Sequence, residues 1–459
     1  MSAAVQSMSR TLSDAARVAG GRMLGEDHRY GAVATDSRTL QPGTLFVALR
    51  GPHFDGRDFV AAAAARGAIG AIVDRPVKDA LPQVVVADTL SALQSMGQAW
   101  RAEFSIPIVA VAGSNGKTTA KEMTAAILAR MGACMATHGN LNNHIGVPLT
   151  LMRLEVSHRS AVVEMGANRV GDVADLMRLA RPTVGLITNA GAEHLEGFGN
   201  LDGVAQGEGE AVSCLDSGAT AIINADDPYA GYWRGIATAQ RIVTFGVHAD
   251  ADFMAKDTQW SIERGEFATR FTLHCPLGVR PITLKAGGAH NIGNALAAAA
   301  AAAAAGASLE EIAAGLSDFR AVAGRLQLKA GTRGSWVIDD SYNANPSSVR
   351  AGLEVLRALP GPTWLVLGDM AELGEFAENS HAHMGTYARA CGIKRLFALG
   401  PQSSRAVETF GSGAEWFADA DSLTRRLKSE LAPGVTVLIK GSRVNRLERV
   451  VQALTGGAN

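Results

Sequence analysis

The run Ile106-Pro-Ile-Val-Ala-Val-Ala-Gly-Ser-Asn-Gly-Lys-Thr-Thr119 decides the fold. Its apolar first half reads as a strand buried on both faces of a parallel sheet. A glycine-rich turn follows, and then a helix beginning at Lys117. In such a turn, backbone N–H groups can face an anion with no Cβ in the way. The helix N-terminus adds partial positive charge, and Lys117 adds a full one. Thr118 is placed to offer its hydroxyl to Mg²⁺. The strict G-x-x-x-x-G-K-[ST] spacing is not met, because Val111 stands five residues before Gly116. The strand–turn–helix context still predicts that Gly113, Ser114, Asn115, Gly116, Lys117, Thr118 and Thr119 bind the phosphates of a nucleoside triphosphate. A plain glycine-rich turn is the bland alternative.

On either side of this loop the pattern falls into three parts. Residues 1–105 carry short mixed elements, with strands expected near Thr44–Leu49 and Gln83–Ala87. Residues 106–324 alternate buried strands (Ser160–Met165, Val184–Thr188, Ala221–Asn224) with helices, which predicts a parallel sheet covered on both faces. Ala297–Ala305 is nine alanines in a row, read as a tightly packed helix ended by Gly306. Residues 325–459 repeat the alternation, with strands at Trp336–Asp339, Trp364–Leu367, Arg395–Leu399 and Val435–Ile439. The expected class is α/β: a small mixed N-terminal domain, a central P-loop parallel-sheet ATPase domain and a C-terminal Rossmann-like domain.

Composition narrows the function. The chain has 459 residues, 47% hydrophobic and 19% charged, enough for each domain to bury a core. Lys+Arg total 43 against Asp+Glu 44, so the net charge is −1, which argues against a general nucleic-acid binder or a basic membrane-surface protein. The first twenty residues lack a continuous apolar segment, and the longest apolar run is too short to span a bilayer, so no membrane insertion and a cytoplasmic location are expected. Cys134, Cys214, Cys275 and Cys391 are scattered and read as reduced core residues.

Further strings stand at the ends of expected strands, where open α/β sheets place ligands. They are Thr137-His-Gly-Asn-Leu-Asn-Asn-His-Ile-Gly-Val-Pro148, Glu164-Met-Gly-Ala167, Thr188-Asn-Ala-Gly-Ala-Glu-His194, Gly288-Ala-His-Asn-Ile-Gly-Asn294, Asp339-Asp-Ser-Tyr-Asn-Ala-Asn-Pro346 and Leu367-Gly-Asp-Met-Ala-Glu-Leu-Gly374. In this order the sequence closely resembles the Mur ligases, ATP-dependent amide-forming enzymes of peptidoglycan precursor synthesis. The Asn-Ala-Asn-Pro and Gly-Asp-Met-x-Glu-Leu-Gly strings resemble the dipeptide-adding branch. The resemblance implies that ATP and Mg²⁺ serve to join UDP-N-acetylmuramoyl-tripeptide to D-alanyl-D-alanine through an acyl phosphate, in a monomer.

Residue roles follow from the same resemblance. Lys117 would contact the β/γ-phosphates and Thr118 one Mg²⁺, while Glu164 and His194 would hold a second Mg²⁺. Asn291 and Asn294 would meet the adenine side, with helix capping as the plainer role. Arg325 would reach the γ-phosphate on domain closure, about a hinge near 318–325. Asp339 would touch the ribose or nucleotide, and Asn140 and Asn143 would lie near the transferring phosphoryl group, Asn143 on the peptide side. Ser37, Arg38 and Asp55 resemble the UDP-sugar half, with a structural turn and surface ion pair as the alternative. Asn343, Asn345 and Lys440 are assigned to the peptide substrate.

One departure stands out. Many relatives carry a carbamylated lysine where Val204-Ala-Gln-Gly-Glu-Gly-Glu210 places Glu208. Glu208 is therefore expected to supply an encoded negative charge toward the metal, although its carboxylate falls about 4 Å short at ~1.5 Å per bond. A helix-surface glutamate is the alternative. Two rival functions stay open at this point: a Mur-type ligase adding the third residue, and a non-catalytic ATP-binding module.

Overall fold

The computed structural model describes residues 10–78, 81–239 and 241–456. It contains three main sheets, centred on the three sequence regions above.

The N-terminal sheet runs in the order Arg22–Leu24, Gln83–Val85, Gly70–Val73, Thr44–Val47, Ala32–Ala34, and only the first pairing is antiparallel. The helix Thr89–Ala102 connects it to the next unit. Its N-cap is Asp88, whose side chain accepts the Ser91 N–H. At Gly97 this helix lies so close to Pro148 that a Cβ would sit 2.9 Å from its Cα. Arg101, at the helix C-terminal end, donates from buried nitrogens to the carbonyls of Ala180 (2.8 Å) and Phe104 (2.6 Å). Those bonds satisfy a guanidinium that burial would otherwise penalise.

The central sheet has nine strands, and Ile108–Ala112 lies well inside it between Val184–Ile187 and Ser160–Glu164. All five of its residues are buried, as a strand with helices on both faces requires. The expectation of a purely parallel sheet needs correction. Beyond Arg241–Gly246 the sheet continues into Phe253–Glu263, Glu266–Cys275 and Gly278–Leu284, and the last two pairings are antiparallel. This meander carries one apolar and one polar face, so it lacks the continuous apolar runs that identified the other strands.

The alanine run forms the helix Ala289–Ala304, ending ahead of Gly306 at φ 104°. It packs against Lys117–Leu128, the helix after the phosphate loop. Small side chains let the two backbones approach, which brings Asn294 against the loop itself. A Cβ at Gly116 would fall 2.2 Å from Asn294 Oδ1, and Gly116 also has φ 84°, so only glycine fits there.

The C-terminal sheet has the order Gln327–Ala330, Trp336–Asp340, Thr436–Lys440, Thr363–Gly368, Arg395–Leu399, Ala414–Phe417, with only the first pairing antiparallel. The chain leaving Trp336–Asp340 and the chain leaving Thr436–Lys440 turn to helices on opposite faces. A crevice therefore opens at the carboxyl ends of these two neighbouring strands. Among the described residues, no helix is long and apolar enough to cross a membrane. Of the four cysteines, Cys391 is buried, Cys134 and Cys275 are half-buried, and Cys214 is exposed and so is not a core residue.

Candidate active site

The phosphate loop faces a cavity of about 440 Å³ lined by residues of both the central and the C-terminal sheet regions. From the loop side come Asn115, Gly116, Thr118 and Thr119; from the alanine helix, His290, Asn291 and Asn294; from the C-terminal region, Arg325, Asp340 and Lys440.

Not all loop amides are open to a phosphate. The Gly113 N–H donates to Glu208 Oε2 (2.5 Å), the Ser114 N–H to the Asn189 carbonyl (2.9 Å) and the Asn115 N–H to Asn189 Oδ1 (3.0 Å). Those three bonds shape the turn. The N–H groups left for an anion are those of Gly116, Lys117, Thr118 and Thr119, which precede the first intrahelical bond, Ala120 N–H to the Gly116 carbonyl. Lys117 Nζ folds back on the loop, donating to the Gly113 and Ser114 carbonyls and pairing with Glu193 Oε1 at 3.2 Å. Burial alone would lower its pKa, but Glu193, Glu208 and Glu164 around it raise the ammonium above its ordinary value.

Glu208 is not on the helix surface, which overturns the plainer alternative. It is fully buried beneath the loop, and its Oε1 has no hydrogen-bond partner among the described residues. Burial pushes its carboxyl up to about 7, against the opposing pull of Lys117.

Glu164 ends its strand beside the same loop and is buried. Its Oε1 accepts from Asn142 Nδ2 (2.8 Å), while Oε2 has no hydrogen-bond partner among the described residues and lies 4.0 Å from Lys121 Nζ. Asn142 thus holds the position expected of its neighbours. Asn140 is exposed, and Asn143 caps its own turn, accepting the Ile145 (3.1 Å) and Gly146 (2.9 Å) N–H groups. His194, at φ 48°, pairs through Nδ1 with Glu372 Oε2 at 2.6 Å, a residue of the C-terminal region.

Arg325 stands between two left-handed residues, Gly324 (φ 70°) and Leu326 (φ 54°), a kink that turns its side chain to the cavity. Its Nη2 lies 3.4 Å from Thr118 Oγ1, its Cζ is 4.2 Å from the Tyr342 ring centre, and its buried Nε is unpartnered among the described residues. Asn345, assigned to the peptide, instead caps the helix Pro346–Arg357 and reaches across to Asn115 Oδ1 (2.9 Å) and toward Glu193. Asn343 is exposed and offers only its carbonyl, to Lys440.

Two placements differ by the geometry of a strand. Asp339 is turned away from the cavity, held by Lys329 Nζ (2.6 Å) and Ser341 Oγ (2.6 Å); Asp340, on the opposite face, lines it. Lys440 is buried and bonded to Asp340 Oδ2 at 2.6 Å, and it lines the cavity beside that aspartate. Burial pulls its ammonium below the usual value against the opposing effect of Asp340.

At the alanine-helix end of the cavity, Asn291 Nδ2 donates to the Gly287 carbonyl (2.8 Å), and Asn294 Nδ2 to Asn291 Oδ1 (3.1 Å). Phe245, Val247, His248, Asn224 and Asp226 complete that wall and carried no expectation. In the N-terminal region, Ser37 is buried, and Arg38 is 85% exposed in a fork with Asp36 (Nη2–Oδ2 2.7 Å). Asp55 caps Gly56–Phe59 and is paired with Arg57, which holds its carboxyl down at about 2. Arg38 thus stands in a surface fork and Asp55 in a capped turn.

Among the described residues, no three His, Cys, Asp or Glu side chains converge as a ready-made cation cage. Mg²⁺ is commonly held by one or two carboxylates together with substrate phosphates and water. The orphaned Glu164 Oε2 and the Thr118 hydroxyl are hard oxygen donors of the required kind.

Three family models match the chain: the Mur ligase middle domain at residues 111–302, the Mur ligase, glutamate ligase domain at 324–443, and the Mur ligase family, catalytic domain at 29–127. The UDP-N-acetylmuramoyl-tripeptide–D-alanyl-D-alanine ligase of Escherichia coli is 43% identical over 97% of this chain and 98% of its own length. The enzyme of the same name from Bacillus subtilis is 33% identical, with 92% of each chain covered. A crystal structure of MurF from Acinetobacter baumannii superposes with a TM-score of 0.91 at 33% identity, covering 98% of this chain and 100% of that one. The Thermotoga maritima MurF ligase in complex with ADP gives 0.82 at 26% identity, covering 92% and 96%.

Proposed function

The chain belongs to the Mur ligase family, and from that premise we propose that it joins D-alanyl-D-alanine to UDP-N-acetylmuramoyl-tripeptide at the expense of ATP. The observation that carries this reading is the cavity between the phosphate loop and Arg325, taken together with full-length identity to enzymes of that activity.

A carboxylate does not acylate an amine at neutral pH, because its leaving group would be oxide. Transfer of the γ-phosphoryl group from ATP to the tripeptide carboxylate breaks the Pβ–O–Pγ bridge, releases ADP and forms an acyl phosphate. The dipeptide amine, having lost a proton, then attacks the acyl carbon. The tetrahedral intermediate gives up one N–H proton to solvent or the departing phosphate and collapses with loss of phosphate, leaving the amide.

The protein supplies positioning and charge. The N–H groups of Lys117, Thr118 and Thr119 face the phosphates. Lys117 leaves Glu193 and the loop carbonyls to meet the β/γ-oxygens, and Arg325 approaches the transferring group from the opposite wall. Asn291 and Asn294 hold the purine edge, with amides that both donate and accept. Asp340 replaces Asp339 as the carboxylate on the nucleotide side. Thr118, Glu164 and His194 would hold Mg²⁺, whose chemistry here is to neutralise charge on the phosphoryl oxygens. The exposed Arg443, on the segment after Thr436–Lys440, is the cation we assign to the carboxylate of the dipeptide. The cytoplasm is where the proposed substrates would be met.

The test is phosphate release that requires both the UDP-muramoyl-tripeptide and D-alanyl-D-alanine, with the lengthened product weighed by mass spectrometry. ATP turnover with neither acceptor present, or product with a single amino acid in place of the dipeptide, would refute it.

A further inference from the structure

His194 and Glu372 meet across two different sheets. His194 follows the central strand Val184–Ile187, and Glu372 follows Thr363–Gly368 of the C-terminal sheet. Their side chains are joined Nδ1 to Oε2 at 2.6 Å. Both backbones are left-handed, with φ 48° and 62°, a conformation that non-glycine residues adopt uncommonly and that concentrates at functional sites. The loops themselves touch as well: a Cβ at Gly374, which has φ 54°, would lie 3.8 Å from the Glu196 Cβ.

A surface pair contributes little stability, and Glu372 is 59% exposed. Two strained residues aimed at one weak pair make more sense as a means of orienting the imidazole. A carboxylate that accepts a hydrogen bond from Nδ1–H keeps the proton on Nδ1 and leaves the lone pair on Nε2. Histidines that bind metal are commonly oriented this way.

We propose that Glu372 is a positioning residue for the divalent cation, setting the His194 ring so that the cation is gripped fully only when the C-terminal loop is docked. This rests on the reading of His194 as a cation ligand. It also ties the two halves of the reaction together, since the lobe assigned to the incoming dipeptide would complete the metal side of the site assigned to ATP.

The experiment is Mn²⁺ binding to the full chain loaded with a non-hydrolysable ATP analogue, with free Mn²⁺ read by electron paramagnetic resonance. Glu372→Ala should weaken binding about 10–100-fold, the scale for loss of a carboxylate behind a histidine ligand. Glu372→Gln, whose amide oxygen can still accept the hydrogen bond from Nδ1–H, should lose less than Glu372→Ala. Glu375→Ala, another exposed carboxylate on the same loop, should bind as the parent does. The proposal fails if Glu372→Ala binds within twofold of the parent, or if Glu375→Ala weakens binding equally. His194→Ala separates the two levels. If it leaves Mn²⁺ binding unchanged, the ligand reading falls and the proposal with it; if it weakens binding while Glu372→Ala does not, only the positioning role falls.

Discussion

Glu208 Oε2 accepts the Gly113 N–H at 2.5 Å, so a fully buried carboxylate supports the phosphate loop from below. With its carboxyl pushed up to about 7, Glu208 binds a proton in the folded chain over a range where the unfolded chain, near 4.5, has lost it. Its contribution to stability is therefore full below pH ~4.5 and lost as pH rises through 7.

Glu208→Gln removes that dependence while keeping an oxygen for Gly113. Relative to the parent, the variant should gain stability between pH 5 and 8, by about 3 kcal/mol at the upper end for a shift of this size. Melting temperatures of both proteins across that range check it. A difference that stays flat with pH would mean the carboxyl titrates normally.

Lys117 is held among Glu193, Glu208 and Glu164, so removing it costs in two separable ways. Lys117→Met should lower kcat on the order of 10²–10³-fold, the usual effect of deleting one preorganised charge donor. It should also destabilise the fold, because buried carboxylates lose their counter-charge. Adding Glu193→Gln should recover melting temperature and leave turnover low. Recovery of both would show that Lys117 acts only on stability.

Much of this site was legible because its signals are local. The strand Ile108–Ala112, the turn and the helix at Lys117 follow from a run of a dozen residues. The meander over 253–284 was not legible, since charged residues such as Lys256 and Arg270 occupy its open face. Its turn Arg264-Gly265, at φ 52° and 81°, is the hairpin signal that could have exposed it. Asp339 and Asp340 show a different limit. Adjacent strand residues face opposite sides, so an aspartate pair in sequence does not reveal which member faces the ligand. Glu193, Lys121 and Asn142 became visible only when distant segments met.

Asn345 links the two lobes, and a neighbour provides the control. Asn345 and Ser348 form one capping box on the helix Pro346–Arg357, but only Asn345 also contacts Asn115 and Glu193. Either alanine variant should cost about 1 kcal/mol of helix capping. Asn345→Ala should in addition lower kcat by tenfold or more and reduce ligand-induced compaction in solution scattering, whereas Ser348→Ala should do neither. Equal kinetic losses in both would reduce the role of Asn345 to capping.

Lys440 ends its strand, Arg443 stands three residues further on, and the two have opposite circumstances. Lys440 is buried against Asp340, so Lys440→Met should strand a carboxylate, lower stability by about 3 kcal/mol and weaken ATP binding on that wall. Arg443 is largely exposed, contacts Glu448 at only 3.6 Å and has its Cζ 5.9 Å from the Tyr342 ring centre, with Arg325 at 4.2 Å from the same centre. A dipeptide spans about 7 Å at 3.3–3.6 Å per residue. That length suits a substrate whose amine lies at the transferring phosphoryl group by Arg325 and whose carboxylate lies beyond the ring at Arg443. Arg443→Ala should raise KM for D-alanyl-D-alanine tenfold or more, with KM for ATP and melting temperature near the parent values. Arg443→Lys, which keeps the charge but not the fork, should recover part of the loss. Should Lys440→Met alone raise the dipeptide KM while Arg443→Ala leaves it unmoved, the assignment of the two cations is reversed.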